Sequence, residues 1–265
     1  MNKNILFVLG AFLTTLFIVN TNTNTNTNKL ISTKSTIANI QLLTKHISIP
    51  RQIESVGLKN VKNFVKKQME LLGLQVTEQK FNPIVSNKIY HMSNIIGINN
   101  KTTGPYILLG AHIDSHQVSH VNTEATTDSA TCVAIILELA KNILALHPKA
   151  PIAVVFFDGE EAINGVWTSE TSLFGSKYFV NNFNLHLIDK VYIFDLIGGD
   201  IGKNKIAGFK DLPYTFNDLS TLAKINKKLF GPNEQIFQSP TEYQAKKSPE
   251  DDHQPFVKKN KFIKK

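Results

Sequence analysis

Apolar residues recur at helical spacing between positions 57 and 74. Val61, Phe64, Val65, Met69 and Leu72 fall on one stripe, and Gly73 marks a C-terminal cap. The next segment, 75–81, alternates as a strand does, and residues 93–99 and 106–114 read as two more strands. Ser129–Leu146 is apolar on nearly every face, which predicts a helix buried all round. Pro148 and Pro151 end it. Ile152–Phe157 is a continuous apolar run, the pattern of a strand covered on both faces in a parallel sheet. A short helix is expected over Ser172–Phe179, a strand over Val191–Leu196 and a lysine-bearing helix over Asn217–Phe230. After Gly231 the chain reads as polar loop. Strands alternating with helices predict the α/β class, with a mostly parallel central sheet flanked by helices on both faces.

Ligands in such sheets bind beyond the carboxyl ends of the strands, and acidic residues stand at those ends here. His112 and Asp114 follow one apolar strand, Asp158, Glu160 and Glu161 follow the next, and Asp195 lies at the end of the last. Asp128 stands at the start of the long apolar helix. Read alone, Asp128 fits a helix N-cap and His112 a hydrogen-bonded core histidine. Together they place many like charges on one rim. No Lys or Arg stands at these strand ends, and buried like charges are costly without a cation. Oxygen and imidazole donors suit a divalent metal such as Zn²⁺. Two adjacent glutamates cannot easily serve one ion together. One is expected to ligate and the other to act as a base.

The wider composition narrows the classes. The chain has 265 residues, of which 42% are apolar, enough for one sizeable core. Its net charge of +8 is spread over scattered lysines and the tail 257–265, without aromatics interleaved, so a nucleic-acid partner is not expected. The single cysteine, Cys132, lies in the apolar helix and reads as core. His46, His91, His116, His120, His147 and His186 read as surface residues. Residues 1–19 hold a short basic start and the apolar run Ile5–Val19, the pattern of a secretory signal peptide, or of a signal anchor if uncleaved. Contact with a membrane is expected only in the anchored form. Residues 20–30 form an Asn/Thr-rich linker, and 31–265 the catalytic domain. A secreted monomer is expected. The sequon Asn100-Lys101-Thr102 suits that route.

Several blocks resemble one family: LLGAHIDS at 108–115, TTDSATCVAIILELA at 126–140, VVFFDGEEA at 154–162, WTSETSLFGSKYF at 167–179, FDLIGG at 194–199 and DDHQPF at 251–256. They are similar to animal-type glutaminyl-peptide cyclotransferases, which in turn resemble zinc aminopeptidases. The resemblance implies a zinc aminopeptidase-like fold and one zinc ion. It implies cyclisation of N-terminal glutamine, and more slowly glutamate, of peptides or proteins to pyroglutamate with release of ammonia. By motif, Asp128 and Glu161 match zinc ligands and Glu160 the acid/base. Asp195 and Asp251 match acids of a supporting hydrogen-bond network, and Trp167 a pocket wall.

The match also departs from the pattern. The family's third zinc ligand is a histidine after a further strand, beyond Lys265, so the domain is expected to be incomplete at its C-terminal end. Glu250 replaces an amide beside the DDH block, Trp167 is one residue further from the glutamate pair, and the cysteine pair of many relatives is absent. Two alternatives follow. One is a zinc aminopeptidase, for which His112, Asp128, Glu161 and Asp195 resemble four of the metal ligands. The other is a secreted pseudoenzyme that binds peptide N-termini without turnover.

Overall fold

In the computed structural model, the apolar run at 152–157 is a strand in the middle of a five-stranded sheet, buried along its whole length. The structure describes residues 33–116, 123–198, 215–230 and 250–263. The signal segment, the Asn/Thr-rich linker and His120 lie outside the described residues.

The sheet strands are β1 (Gln75–Phe81), β4 (Met92–Ile98), β5 (Tyr106–His112), β6 (Ile152–Phe157) and β7 (Ile188–Ile193), in the order β1-β4-β6-β5-β7. A two-stranded hairpin, β2 (Ile84–Val85) with β3 (Lys88–Ile89), projects between β1 and β4. The described helices are α1 (Thr33–Ile47), α2 (Val56–Leu71), α3 (Thr131–Leu146), α4 (Phe174–Asn182), α5 (Thr215–Phe230) and α6 (Gln254–Ile263).

The expected α/β fold with a helix-flanked sheet is observed. Parallel pairing belongs to the half that carries the acids: β5 runs parallel to both β6 and β7. The other half is antiparallel, β1 with β4 and β4 with β6. The sheet is therefore mixed. The helical crossover through α3 joins β5 to β6, whereas the short β2–β3 excursion turns β1 directly back into β4, which only antiparallel strands allow.

Alternation along β6 divides the core. Ile152, Val154 and Phe156 pack into a cluster with residues of α1, α2 and α3. Ala153, Val155 and Phe157 pack on the opposite face with Phe179 and Val180 of α4, and with Phe256 of α6. Truncating such a buried phenylalanine typically costs about 3–5 kcal/mol. Cys132 is buried in α3, as expected, and burial pushes its thiol up to about 12.

Element boundaries shift in instructive ways. Ser55 caps α2, its hydroxyl accepting from the Leu58 N–H at 3.0 Å. The long apolar helix begins at Thr131, not Ser129, because the preceding turn Thr126–Ala130 has non-helical dihedrals at Asp128 and Ser129. Asp128 is thus not the expected cap. Strand β7 lies three residues earlier than the apolar pattern suggested, which leaves Asp195 in the loop beyond it. Helix α6 occupies residues read as polar loop, its Phe256 and Val257 turned inward.

Helix α4 approaches the end of β6 closely. A Cβ on Gly175 would fall 2.5 Å from Asn94 Oδ1, 2.6 Å from Asp158 O and 2.7 Å from Asp158 N. Two of these are backbone atoms that cannot swing away. Gly175→Ala is expected to lower stability by about 1–3 kcal/mol, read as a fall in the denaturation midpoint. An unchanged midpoint would show that α4 is free to move off the strand.

Candidate active site

Because β5, β6 and β7 are parallel, their carboxyl ends share one edge, and the acids named above converge there. His112 ends β5 and is 2% exposed. Its Nδ1 lies 3.2 Å from Asp114 O. Its Nε2 lies 2.9 Å from Asp128 Oδ1 and 3.3 Å from Asp195 Oδ1. The Asp128–Ser129 peptide bond is cis.

Asp114 holds the neighbouring loop. Its Oδ1 accepts from the Glu160 N–H at 3.2 Å and its Oδ2 from the Glu161 N–H at 3.1 Å. The first amides of α4 clamp the same loop from the other side. Leu173 N–H donates to Glu160 O at 3.0 Å, and Phe174 N–H to Gly159 O at 2.8 Å. Gly159 has φ of +72°, a backbone state that glycine adopts without strain. Main-chain bonds from two elements therefore fix the glutamate pair.

Two sets of metal-capable atoms lie within 4.8 Å of one another: His112 with Glu160 and Glu161, and His112 with Asp128 and Asp195. Asp128 and Glu161, the pair matched to zinc, fall in different sets that share His112. A second imidazole reaches the cluster, His116 Nδ1 lying 3.0 Å from Glu161 Oε2. This histidine read as a surface residue. Its side chain is half-exposed but paired.

The electrostatics reflect the crowding. Burial and then the like charges of Asp252, Asp114 and Glu161 push Glu160 up to about 11, against the opposing pull of His112. Burial and Asp114 push Glu161 up to about 7. For His112, burial favours the neutral ring, but Glu160, Asp114, Asp128 and Asp195 together raise it well above its usual range. For Asp128, burial raises the carboxyl, but the His112 hydrogen bond together with the charges of His112, Arg51 and His116 lowers it overall. A cluster of acids that must hold protons to remain buried is one that a divalent cation suits, and its N and O donor set fits zinc.

The fold also supplies cations that the strand ends lack. Lys62 of α2 pairs with Asp158, which also accepts from the Ser93 N–H at 2.7 Å. Even so, burial raises Asp158 to about 6. Arg51, between α1 and α2, is completely buried beneath the cluster. Neither was legible as a site residue, because both come from segments distant in sequence.

The DDH block also reaches the rim. Asp251 is partly buried, accepts from the Asp252 N–H, and lies 3.5 Å from His253. Asp252 is the fully buried acid whose charge acts on Glu160. Among the described residues neither of its carboxylate oxygens has a hydrogen-bond partner. The doublet itself was the available signal; nothing in the sequence showed which of the two faces inward. Trp167 lies on the exposed stretch 164–170 and is 40% exposed.

A histidine ringed by carboxylates stands at the edge of a helix-flanked α/β sheet. The sequence matches Peptidase family M28 over residues 94–263, and the chain belongs to that family. It is 27% identical over 237 residues to the glutaminyl-peptide cyclotransferase of Drosophila melanogaster, covering 81% of this chain and 66% of that protein. It is 33% identical over 132 residues to that of Bos taurus, covering 40% and 36%. The motif resemblance to glutaminyl-peptide cyclotransferases is thereby borne out. Among solved structures, an Acidobacteriales bacterium glutaminyl cyclase superposes with a TM-score of 0.69 at 22% identity, over 84% of this chain and 75% of that one. A Zn-dependent exopeptidase from Parabacteroides distasonis gives 0.67 at 18%, over 83% and 78%. The chain spans about two thirds or less of the length of the cyclotransferase sequences it matches.

Proposed function

We propose that this protein is a zinc-dependent glutaminyl-peptide cyclotransferase acting on the N-terminal glutamine, and more slowly glutamate, of peptides along a secretory route. The observation that carries this reading is the placement of Glu160. It is a nearly buried carboxyl beside His112, backed by Asp252 and held by main-chain bonds at a rim where ligands bind. Asp128 and Glu161 would hold the ion, which when bound supplies Lewis-acid polarisation of the γ-amide carbonyl. Glu160 takes a proton from the substrate's α-amino group. That nitrogen attacks the γ-carbonyl carbon of the same residue. The bond to the amide nitrogen breaks, and Glu160 returns the proton so that ammonia leaves. Nucleophile and electrophile arrive joined, so the protein's main tasks are orientation and proton transfer. Asp114 fixes the main chain on which Glu160 stands. Asp195 and Asp251 fill the supporting network, and Trp167 the pocket wall.

The test is ammonia release from a peptide beginning with glutamine, with pyroglutamyl peptide as the second product. Absence of both products from folded, zinc-supplemented protein would overturn the assignment, and retained peptide binding would then favour the pseudoenzyme. One observation favours a second enzyme reading: the two donor sets sharing His112 resemble a two-metal aminopeptidase centre. Release of free N-terminal amino acids, with two metal ions per chain, would establish that reading instead.

A further inference from the structure

Among the described residues, Arg51 is the largest side chain that is completely buried, and it forms no ion pair. Its donors all go to main-chain carbonyls. Nε donates to Ile113 O at 2.9 Å. Nη1 donates to Ile47 O at 2.8 Å, Ile49 O at 2.9 Å and Glu124 O at 2.7 Å. Nη2 donates to Ala125 O at 3.2 Å. Its main chain joins in: the Arg51 N–H donates to Ser115 Oγ at 2.9 Å, and the Ser115 N–H to Arg51 O at 3.1 Å. One residue thus ties the end of α1, the exit of β5 and the segment leading to Asp128.

That last segment needs holding. Ala125 has φ of +43°, in the left-handed region that a side chain disfavours. Such a state persists when the surroundings over-determine it. The Ala125 carbonyl accepts from Arg51 and, at 3.2 Å, from the Ala130 N–H. It stands directly before the turn Thr126–Ala130 that presents Asp128 to His112.

We propose that Arg51 is a positioning residue for the acid cluster: its guanidinium fixes the start of the Thr126–Ala130 turn, and so where Asp128 points. A planar fork with five N–H donors can meet this many carbonyls, whereas a lysine ammonium has three. The competing role is that of a counter-charge alone, since Asp114, Asp128 and Glu161 all lie within range of its field. The two roles differ in sign. A counter-charge repels a metal cation, so removing it should tighten zinc binding. A positioning residue, once lost, should weaken it.

The test uses the full chain as wild type, Arg51→Lys, Arg51→Met and Ser115→Ala. Hydrogen–deuterium exchange needs no metal. Arg51→Lys is expected to speed exchange about tenfold across residues 124–131 while β6 stays protected. Zinc affinity, read by competition with a chelating dye, is expected to fall by about 10- to 100-fold in Arg51→Lys and further in Arg51→Met. Unchanged exchange in Arg51→Lys, or tighter zinc in Arg51→Met, overturns the proposal. Should both Arg51 variants fail to fold, Ser115→Ala decides: it removes one bond of the set and should raise exchange in the same segment, and full protection there overturns the proposal. The zinc arm rests on the proposed function. If wild type binds no zinc, that reading fails, and the exchange arm still judges Arg51.

Discussion

Glu160→Gln should leave zinc affinity within about twofold of wild type while lowering ammonia release by a factor of about 100 to 10,000, the usual contribution of a positioned acid/base. The substitution keeps shape and removes the proton-carrying function. The loop should not move, because Asp114 and the first amides of α4 hold it through Glu160 main-chain atoms. Folding should not suffer either. Burial and the neighbouring acids keep Glu160 protonated in the metal-free fold, a cost at neutral pH that a neutral amide does not carry. We therefore expect an inactive protein at least as stable as wild type in the absence of metal. Paired rate and thermal measurements check both halves. Retention of most activity would remove Glu160 from the mechanism, and a large loss of stability would show that its charge holds the fold.

Added Zn²⁺ should raise the melting temperature, and a chelator should reverse the shift. Ion binding to the folded form alone at about a hundredfold excess over Kd contributes about 2.7 kcal/mol. For a chain of this size that is about 5–10 °C. Because burial raises Glu161, zinc must displace its proton, so the shift should grow as pH rises. Glu161→Ala removes a donor and should abolish most of the shift. An identical shift in Glu161→Ala would place the ion elsewhere, and no shift in wild type would remove zinc from the reading.

Much of the fold was legible from periodicity. The all-round apolar helix and the unbroken apolar strand at 152–157 are α3 and β6, the centre of the protein. Strand ends followed by acids correctly marked the rim, since parallel pairing of β5, β6 and β7 brings those ends together. What periodicity missed has physical reasons. The antiparallel half of the sheet depends on pairing partners, which a local pattern does not specify. Helix α6 is short and lysine-rich, and only Phe256 and its neighbours pay for its burial. The buried Arg51 and partly buried Lys62 carry no local signal, because their partners are main-chain carbonyls or an acid just beyond a distant strand. For Asp251 and Asp252, adjacent residues of one type, orientation is decided by packing rather than by sequence.

The pairing of β5 with β6 has a bearing on how the protein is made. Ile107 lies opposite Ile152, with all of α3 in the connection between them. Histidine and glutamates therefore meet only after a long loop closes, a slow step in folding. In a nascent chain His112 stays apart from Glu160 and Glu161 until the segment through β6 has left the ribosome and docked beside β5.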